Sequence, residues 1–237
     1  MPDVSPMLFL DFDGTVSCAD VVDALLERFA APEWKRLEDD WRAGRIGSRE
    51  CLAGQIACVR ATPDALDAAI DAIPLDPGLT ALLETAERHD IPVHILSDGF
   101  DYCIHRLLRS LPRRLAQSLG DAVYASHLES AGGDGWRTAF PFFAAGCEHG
   151  CATSKPGLMA QLNSADRPTI FVGDGLSDRY AARAADVVFA KQGLAAYCER
   201  EAIAYAPYRD LAIVAVAIDR TMRSGCGWPV RAARIGM

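Results

Sequence analysis

The stretch MLFLDFDGT near the start of the chain constrains the fold more than any other. Met7–Leu10 is an apolar run that can be buried on both faces, as a central parallel strand is. Asp11 and Asp13 follow it, and residues two apart in an extended chain point to the same side, so both carboxylates can converge on one point. Gly14 then lets the chain turn away. Open α/β sheets place their active sites at such strand ends.

Three later stretches carry matching chemistry in chain order. A predicted strand over residues 91–96 ends in Ser97, Asp98 and Gly99, with a helix expected from Phe100. A second, over residues 169–172, ends at Gly173 and leads to Asp174; Lys155 stands between them, at a junction of loop and helix. If the three strands are neighbours, these polar groups meet at one edge of the sheet.

The rest of the chain alternates between predicted helices and strands, except for one long segment. Residues 17–74 show helical patterns only. From residue 76 onward helix and strand alternate, ending with a short strand over residues 203–205 and a final helix. Repeated βα units require a parallel sheet with right-handed crossovers. We therefore predict an α/β fold: a Rossmann-like parallel sheet with helices on both faces (residues 1–16 and 75–237) and a small all-helical cap (residues 17–74).

Composition excludes several classes of function. The 237-residue chain has a net charge of −8 and no basic run, which argues against nucleic-acid binding. No stretch has the length and apolarity of a membrane span or a signal peptide, and the eight scattered cysteines are expected to be reduced thiols. We expect a cytoplasmic monomer or homodimer without a membrane or nucleic-acid partner.

The carboxylates suit attack on a phosphate ester. Asp11 is ionised at neutral pH and can serve as a nucleophile, but it repels a phosphate dianion. Mg²⁺ would remove that repulsion, with Asp11 and Asp174 as its ligands. Asp178, one helical turn after Asp174, could orient the waters of the metal. Asp13 could protonate the leaving alkoxide and then deprotonate the attacking water.

The remaining polar groups suit phosphate binding. Ser97 can donate a hydroxyl hydrogen bond, and the N–H groups of Asp98 and Gly99, expected at a helix start, favour an anion. Lys155 supplies a positive charge. The substrate is then a small-molecule phosphate monoester.

These four motifs resemble those of the haloacid dehalogenase superfamily: DFDGT from Asp11, the serine at Ser97, the lysine at Lys155, and GDGLSD from Gly173. The resemblance implies a Rossmann-like fold, Mg²⁺, Asp11 as nucleophile, Asp13 as acid and base, and the backbone carbonyl of Asp13 as a further metal ligand. An aspartate at position 13 favours a phosphatase over a dehalogenase or an ion pump. The helical insertion is similar to the cap of the phosphoserine phosphatase group. There a glutamate reaches the substrate at the place of Asp20, which could alternatively be a helix N-terminal acid.

A narrower resemblance is to the phosphatases of methionine salvage. It is carried by FAAPEW, SDGFDYCI and CEHGCATSKP, although Ser154 stands where that group tends to have a cysteine. It implies a methylthio-ketose phosphate as substrate. The alternatives are phosphoserine or another metabolite phosphate, a phosphomutase, and a catalytically silent phosphate-binding protein. Cys147, His149 and Cys151 could be zinc ligands, or a thiol pair in a loop by chance.

Overall fold

The computed structural model describes residues 5–225 and residue 228. The strands are β1 (Met7–Leu10), β2 (Val93–Phe100), β3 (Val123–Gly132), β4 (Gly135–Ala139), β5 (Thr169–Gly173), β6 (Val187–Ala190) and β7 (Ala206–Pro207). The helices are α1 (Val21–Phe29), α2 (Trp34–Arg42), α3 (Ser48–Ala57), α4 (Pro63–Asp71), α5 (Leu79–Arg88), α6 (Asp101–Leu108), α7 (Arg113–Gly120), α8 (Lys155–Leu162), α9 (Arg179–Ala184), α10 (Gln192–Arg200) and α11 (Leu211–Ser224). A 3₁₀ turn, Leu176–Asp178, precedes α9.

The strands form one sheet in the order β4-β3-β2-β1-β5-β6-β7. All neighbouring pairs are parallel except β3 and β4, which form an antiparallel hairpin at one edge. The predicted α/β fold class is confirmed. Because β1 lies between β2 and β5, the strand before Asp11, the strand that contains Ser97 and the strand before Asp174 are neighbours, which is the condition for their polar groups to meet at one edge of the sheet.

Both faces of the sheet are covered by apolar side chains. On β1, Leu8 and Leu10 pack on one side with α1, α5, α6 and α11, whereas Met7 and Phe9 pack on the other with α8, α9 and α10. This alternation within four consecutive apolar residues is what burial on both faces requires of a central parallel strand. In the described part of the chain, no helix is long and apolar enough to cross a membrane.

The four helices α1–α4 contribute no strand to the sheet. Helix α4 starts as its sequence predicts, with Pro63 in the first turn and the Thr62 hydroxyl accepting the N–H of Ala65. Ser17 and Leu75 form an antiparallel bridge, so the segment leaves the sheet and returns at one place. This bridge supports our proposal that residues 17–74 form a cap.

Two local predictions are wrong, and one helix was missed. Strand β2 runs on to Phe100 through a register shift against β3, so α6 begins at Asp101 and not at Phe100. The last strand lies at Ala206–Pro207 rather than at residues 203–205. Helix α7 was not predicted; it follows Pro112 and buries Leu115 and Leu119. Each error concerns a short element whose placement depends on a neighbouring strand or helix.

Candidate active site

The nucleophile candidate Asp11 is buried and paired with a lysine. Lys155, the first residue of α8, is also buried, and its Nζ lies 2.6 Å from Oδ1 of Asp11 and 2.6 Å from Oδ1 of Asp178. Burial alone would lower the pKa of Lys155, but Asp11 and Asp178 outweigh it and raise this pKa. The lysine therefore stays protonated and is held by two carboxylates.

Asp174 and Asp178 are positioned by the turn that follows β5. The second carboxylate oxygen of Asp178 accepts the N–H groups of Asp174 and Gly175, at 3.1 and 3.3 Å. The Thr15 hydroxyl donates to Oδ1 of Asp174 at 3.2 Å. Gly14 has a φ of +71°, and a Cβ there would lie 2.4 Å from Asp174 Oδ2, so only glycine allows this approach.

Asp11, Asp174 and Asp178 form a cluster that could hold a metal ion. One carboxylate oxygen from each lies within 4.8 Å of the other two. Burial, followed by the charge of Asp178, raises the pKa of Asp174 to about 7. The same two causes raise the pKa of Asp11 well above its usual range, although Lys155 opposes them. The protein thus places more negative charge here than one lysine neutralises, and a divalent cation with a preference for oxygen ligands fits the site.

The side chain of Asp13 lies beside the metal-binding candidates rather than among them. Its Oδ1 accepts the N–H of Val21 at 2.9 Å, and the Ser97 hydroxyl lies 3.4 Å from its Oδ2. Burial and the nearby charge of Asp20 raise the pKa of Asp13 to about 7. A carboxyl group with such a pKa can exchange protons in both directions near neutral pH.

Three of the four predicted phosphate-binding residues, Ser97, Asp98 and Gly99, lie on β2, whereas Lys155 begins α8. Ser97 is fully buried, and its Oγ accepts the N–H of Gly99 at 2.9 Å. A Cβ at Gly99 would lie 2.2 Å from Oδ2 of Asp13, so glycine is required for this contact. Because α6 begins only at Asp101, the N–H groups of Asp98 and Gly99 do not open a helix, and that argument for anion binding was wrong. Phosphate binding by Ser97, Asp98, Gly99 and Lys155 stays a prediction.

A cavity of about 320 Å³ opens above these groups, between the sheet edge and α1–α3. Its floor includes Asp11, Asp13, Ser97 and Asp174. The far wall, opposite this floor, is formed by α1–α3 and is partly apolar, with Val22, Trp41, Cys51 and Leu52. Trp41 is the aromatic side chain among the lining residues that the structure describes, whereas Trp34, also on α2, is buried in the core.

The far wall of the cavity is also acidic. Asp20, Asp23 and Glu38 lie in it, and Arg42 donates to Glu38 at 2.8 Å. Asp20 caps α1 by accepting the N–H of Asp23, so it is a helix N-terminal acid and also faces the cavity. Although water reaches Asp20, desolvation by the surrounding protein and then the charge of Asp23 raise its pKa.

The loop that carries Cys147, His149 and Cys151 does not assemble as a metal site. Among residues 5–225, these side chains do not form a group of three converging ligand atoms. The His149 ring stacks instead on Tyr180, with centroids 4.4 Å apart. In the described part of the chain the cysteines are free thiols, as expected from the composition.

Sequence reasoning missed three contributors to the site. The Tyr208 hydroxyl lies 3.3 Å from both the Thr15 hydroxyl and the Gly173 carbonyl oxygen, and thus supports the turn that carries Asp174. Ser48 reaches the cavity from α3. Thr15 belongs to the first motif, but its contact with Asp174 follows only from the pairing of β1 with β5. Nothing in the local sequence around Tyr208 or Ser48 marks them.

A family model of the haloacid dehalogenase-like hydrolases matches residues 8–183, and the chain belongs to this family. The match spans all four motifs and the helices α1–α4. Within the family, this protein is a phosphatase, as its curated relatives are by name.

Among its relatives, the 2-hydroxy-3-keto-5-methylthiopentenyl-1-phosphate phosphatase of Geobacillus kaustophilus is 29% identical over 219 residues, which cover 90% of this chain and 96% of the relative. The similarly named protein of Geobacillus thermodenitrificans is 27% identical and covers 85% and 90% of the two chains. Among solved structures, a substrate-bound phosphoserine phosphatase superimposes with a TM-score of 0.68 at 17% identity, over 90% of this chain and 98% of the other. At that identity the likeness concerns the fold alone.

Proposed function

We propose that the protein hydrolyses a small-molecule phosphate monoester through an aspartyl-phosphate on Asp11, with Mg²⁺ as cofactor. The observation that carries the proposal is the buried arrangement of Asp11, Lys155 and Asp178 beneath the cavity, beside the acidic pair Asp13 and Asp174. An ammonium group has three N–H donors, and among the described residues Asp11 and Asp178 take two of them from Lys155, so the third can reach a phosphate oxygen once a cation offsets the excess negative charge.

Asp11 is the nucleophile in this proposal. Lys155 occupies its Oδ1, and within the described residues no protein hydrogen bond reaches its Oδ2. The free oxygen attacks phosphorus, the bond from phosphorus to the ester oxygen breaks, and an acyl phosphate forms on Asp11. Ser97 and Lys155 hold the equatorial oxygens of the transferring group.

Asp13 moves the protons. It protonates the alkoxide as the ester bond breaks, and its carboxylate then takes a proton from the water that attacks the acyl phosphate. The hydrogen bond from Val21 fixes its orientation, and its pKa of about 7 allows both roles near neutral pH.

Asp11 and Asp174 would hold Mg²⁺, together with the backbone carbonyl of Asp13 that the family resemblance implies. When bound, the ion neutralises the charge between nucleophile and phosphate. Asp178 keeps Lys155 and the turn after β5 in place behind these ligands. The acidity of the cluster is the feature that fits a cation.

The side chains that line the cavity indicate which substrate fits it. We propose 2-hydroxy-3-keto-5-methylthiopentenyl-1-phosphate, the compound that the relatives' names give. Its uncharged, partly apolar tail suits a wall with Trp41, Leu52 and Val22. Phosphoserine, the second candidate on account of the structural neighbours, carries an ammonium and a carboxylate. Asp20, Asp23 and Glu38 would attract the ammonium, but the carboxylate would have to compete with Glu38 for Arg42, which already donates to Glu38.

The test is phosphate release by the purified protein with Mg²⁺, comparing the methylthio-ketose phosphate, phosphoserine and glycerol phosphate. The proposal expects kcat/KM for the methylthio compound to exceed that for phosphoserine by at least about tenfold, which corresponds to about 1.4 kcal/mol. Trp41→Ala should narrow this preference, and Trp34→Phe, in the core away from the cavity, should leave it unchanged. A preference for phosphoserine would contradict the proposed substrate. The absence of phosphate release from every ester would contradict the proposed reaction.

A further inference from the structure

Helix α3 is attached to the sheet edge through its first residue. The Ser48 hydroxyl donates to Oδ2 of Asp98 at 2.7 Å and accepts the N–H of Ala152 at 2.9 Å. Ser48 is 8% exposed, and both contacts cross from α3 to parts of the chain at least 50 residues away. The hydroxyl thus uses its one donor and an acceptor position within the protein, although the residue lines the cavity.

Asp98 completes this link on the side of the sheet. Its Oδ1 accepts the N–H of Thr153 at 3.0 Å, and the Thr153 hydroxyl donates to the carbonyl of the preceding Ser97 at 2.7 Å. The carboxylate therefore joins three segments: α3, the strand end that carries Ser97, and the residues that lead into Lys155. The proposed reaction makes no use of this side chain.

Backbone contacts beside Ser48 reinforce the attachment. The Arg49 N–H donates to the carbonyl of Gly150 at 3.1 Å, and a Cβ on Gly47 would lie 2.3 Å from that same oxygen. The two backbones therefore meet at a distance that only glycine permits at position 47. The first turn of α3 is held to the loop before Lys155 on both sides of Ser48.

The attached helix carries part of the cavity wall. Cys51, Leu52 and Gln55 project from α3 into the cavity, one and two turns after Ser48. Gln55 in turn donates to Glu38 on α2 at 3.1 Å. A shift of the first turn of α3 would consequently move the wall that faces the part of a substrate beyond its phosphate.

We propose that the Ser48 hydroxyl and the Asp98 carboxylate form a pin that fixes α3 over the cavity, and that both are positioning residues for the non-phosphate part of the substrate. The inference rests on the proposed function where it concerns the substrate, but the pin itself does not depend on turnover. Its loss should loosen α3 and weaken substrate binding while the groups that hold phosphate stay in place.

The first measurement is amide hydrogen exchange, which requires no activity. In Ser48→Ala, exchange in residues 47–57 should accelerate roughly tenfold or more, the factor expected for loss of one hydrogen bond to a charged acceptor. Ser48→Thr keeps the hydroxyl and should exchange like the wild type. Ser118→Ala removes a hydroxyl that donates to the Leu115 carbonyl within α7, and should leave α3 unaffected.

The second measurement separates positioning from general damage. For the preferred ester, Ser48→Ala should raise KM by roughly tenfold, whereas the inhibition constant of inorganic phosphate should change less than about twofold. Asp98→Asn, which exchanges one acceptor oxygen for a donor, should accelerate exchange in α3 as well. The double variant should lose less than the sum of the two single losses, because both single variants remove the hydrogen bond between Ser48 and Asp98, while Ser48→Ala removes the bond from Ala152 as well.

Unchanged exchange over residues 47–57 in both Ser48→Ala and Asp98→Asn would overturn the pin. Equal losses in ester and phosphate binding would also overturn it, since they indicate damage to the sheet edge. If no ester is hydrolysed but exchange in α3 accelerates as expected, the proposed function fails and the pin stands.

Discussion

The ammonium nitrogen of Lys155 lies 2.6 Å from Oδ1 of Asp11, with both side chains almost completely buried. The two residues are 144 positions apart, and they meet because α8 begins beneath the carboxyl end of β1. The same nitrogen contacts Asp178 at 2.6 Å, so the lysine neutralises charge that would otherwise be unpaired in the interior. Lys155 therefore contributes both to the stability of the protein and to the proposed reaction.

Replacing Lys155 should therefore cost stability as well as activity. Lys155→Met leaves Asp11 and Asp178 buried without a cation, and loss of one partner of a buried ion pair costs about 3–5 kcal/mol. Urea denaturation should show this loss. The matched control is Arg137→Met, which breaks an exposed pair with Glu129 of the same 2.6 Å length and should cost less than about 1 kcal/mol. Similar losses in the free energy of unfolding in the two variants would contradict a stabilising role for the buried lysine.

Asp13 should be needed at two different stages. Nitrophenolate leaves without a general acid, so Asp13→Asn should still form the acyl phosphate from p-nitrophenyl phosphate. Hydrolysis of this acyl phosphate then lacks its general base. Stopped-flow absorbance should show a burst of about one nitrophenolate for each active site, followed by slow release. Loss of burst and steady phase together, in a folded variant, would rule out this division of roles.

Gly99 should be intolerant of any side chain. A Cβ at this position would lie 2.2 Å from Oδ2 of Asp13, so Gly99→Ala must displace the carboxylate. A displacement of about 1 Å at a reacting group can lower kcat by about a hundredfold. Gly146→Ala is the control, because nothing lies within 4 Å of the added Cβ. Steady-state kinetics that do not distinguish the two variants would refute the contact.

The carboxyl groups give the metal-free protein a defined pH dependence of stability. Asp13 and Asp174 have folded-state pKa values of about 7, above the usual 3.8. Between these values the folded state binds more protons than the unfolded state, so the free energy of unfolding falls as pH rises through this range. Since one pKa unit corresponds to about 1.4 kcal/mol, we expect a fall of at least ~2 kcal/mol from pH 4 to 8 in EDTA.

Mg²⁺ should oppose that fall, because it binds the ionised carboxylates. The increase in Tm on adding Mg²⁺ should be larger at pH 8 than at pH 5, and Asp174→Asn should reduce it. Calorimetry with and without EDTA measures both effects. An EDTA-treated protein whose stability rises from pH 5 to pH 8 would have the opposite sign and would contradict this account.

The sequence predicted those parts of the site that one strand and its following turn determine. The acids after β1 and β5 stand at strand ends, which parallel pairing places at one edge, and Ser97 lies beside them inside the longer strand β2. It did not predict the contact of Ser48 with Asp98 or the support from Tyr208. These depend on how α3 and the segment before α11 pack against the sheet, and side-chain periodicity carries no record of that packing.

In the fold, too, the sequence predicts local features but not those that depend on packing between elements. Buried alternation on β1 is readable from four residues, whereas the extension of β2 to Phe100 depends on its register shift against β3. Helix α7 is short, and the burial of its two leucines depends on their packing in the core, which the local sequence does not show. Local pattern thus identifies elements, and pairing between elements decides where they end.

The central claim is that Asp11 carries the phosphoryl group. The most direct measurement is the intact mass of acid-quenched protein after mixing with Mg²⁺ and p-nitrophenyl phosphate, followed by peptide mapping. Asp13→Asn should gain the mass of one phosphoryl group on Asp11, and the Asp11→Asn, Asp13→Asn double variant should gain none. A phosphoryl group on another residue, or steady phosphate release by folded Asp11→Asn, would contradict the mechanism.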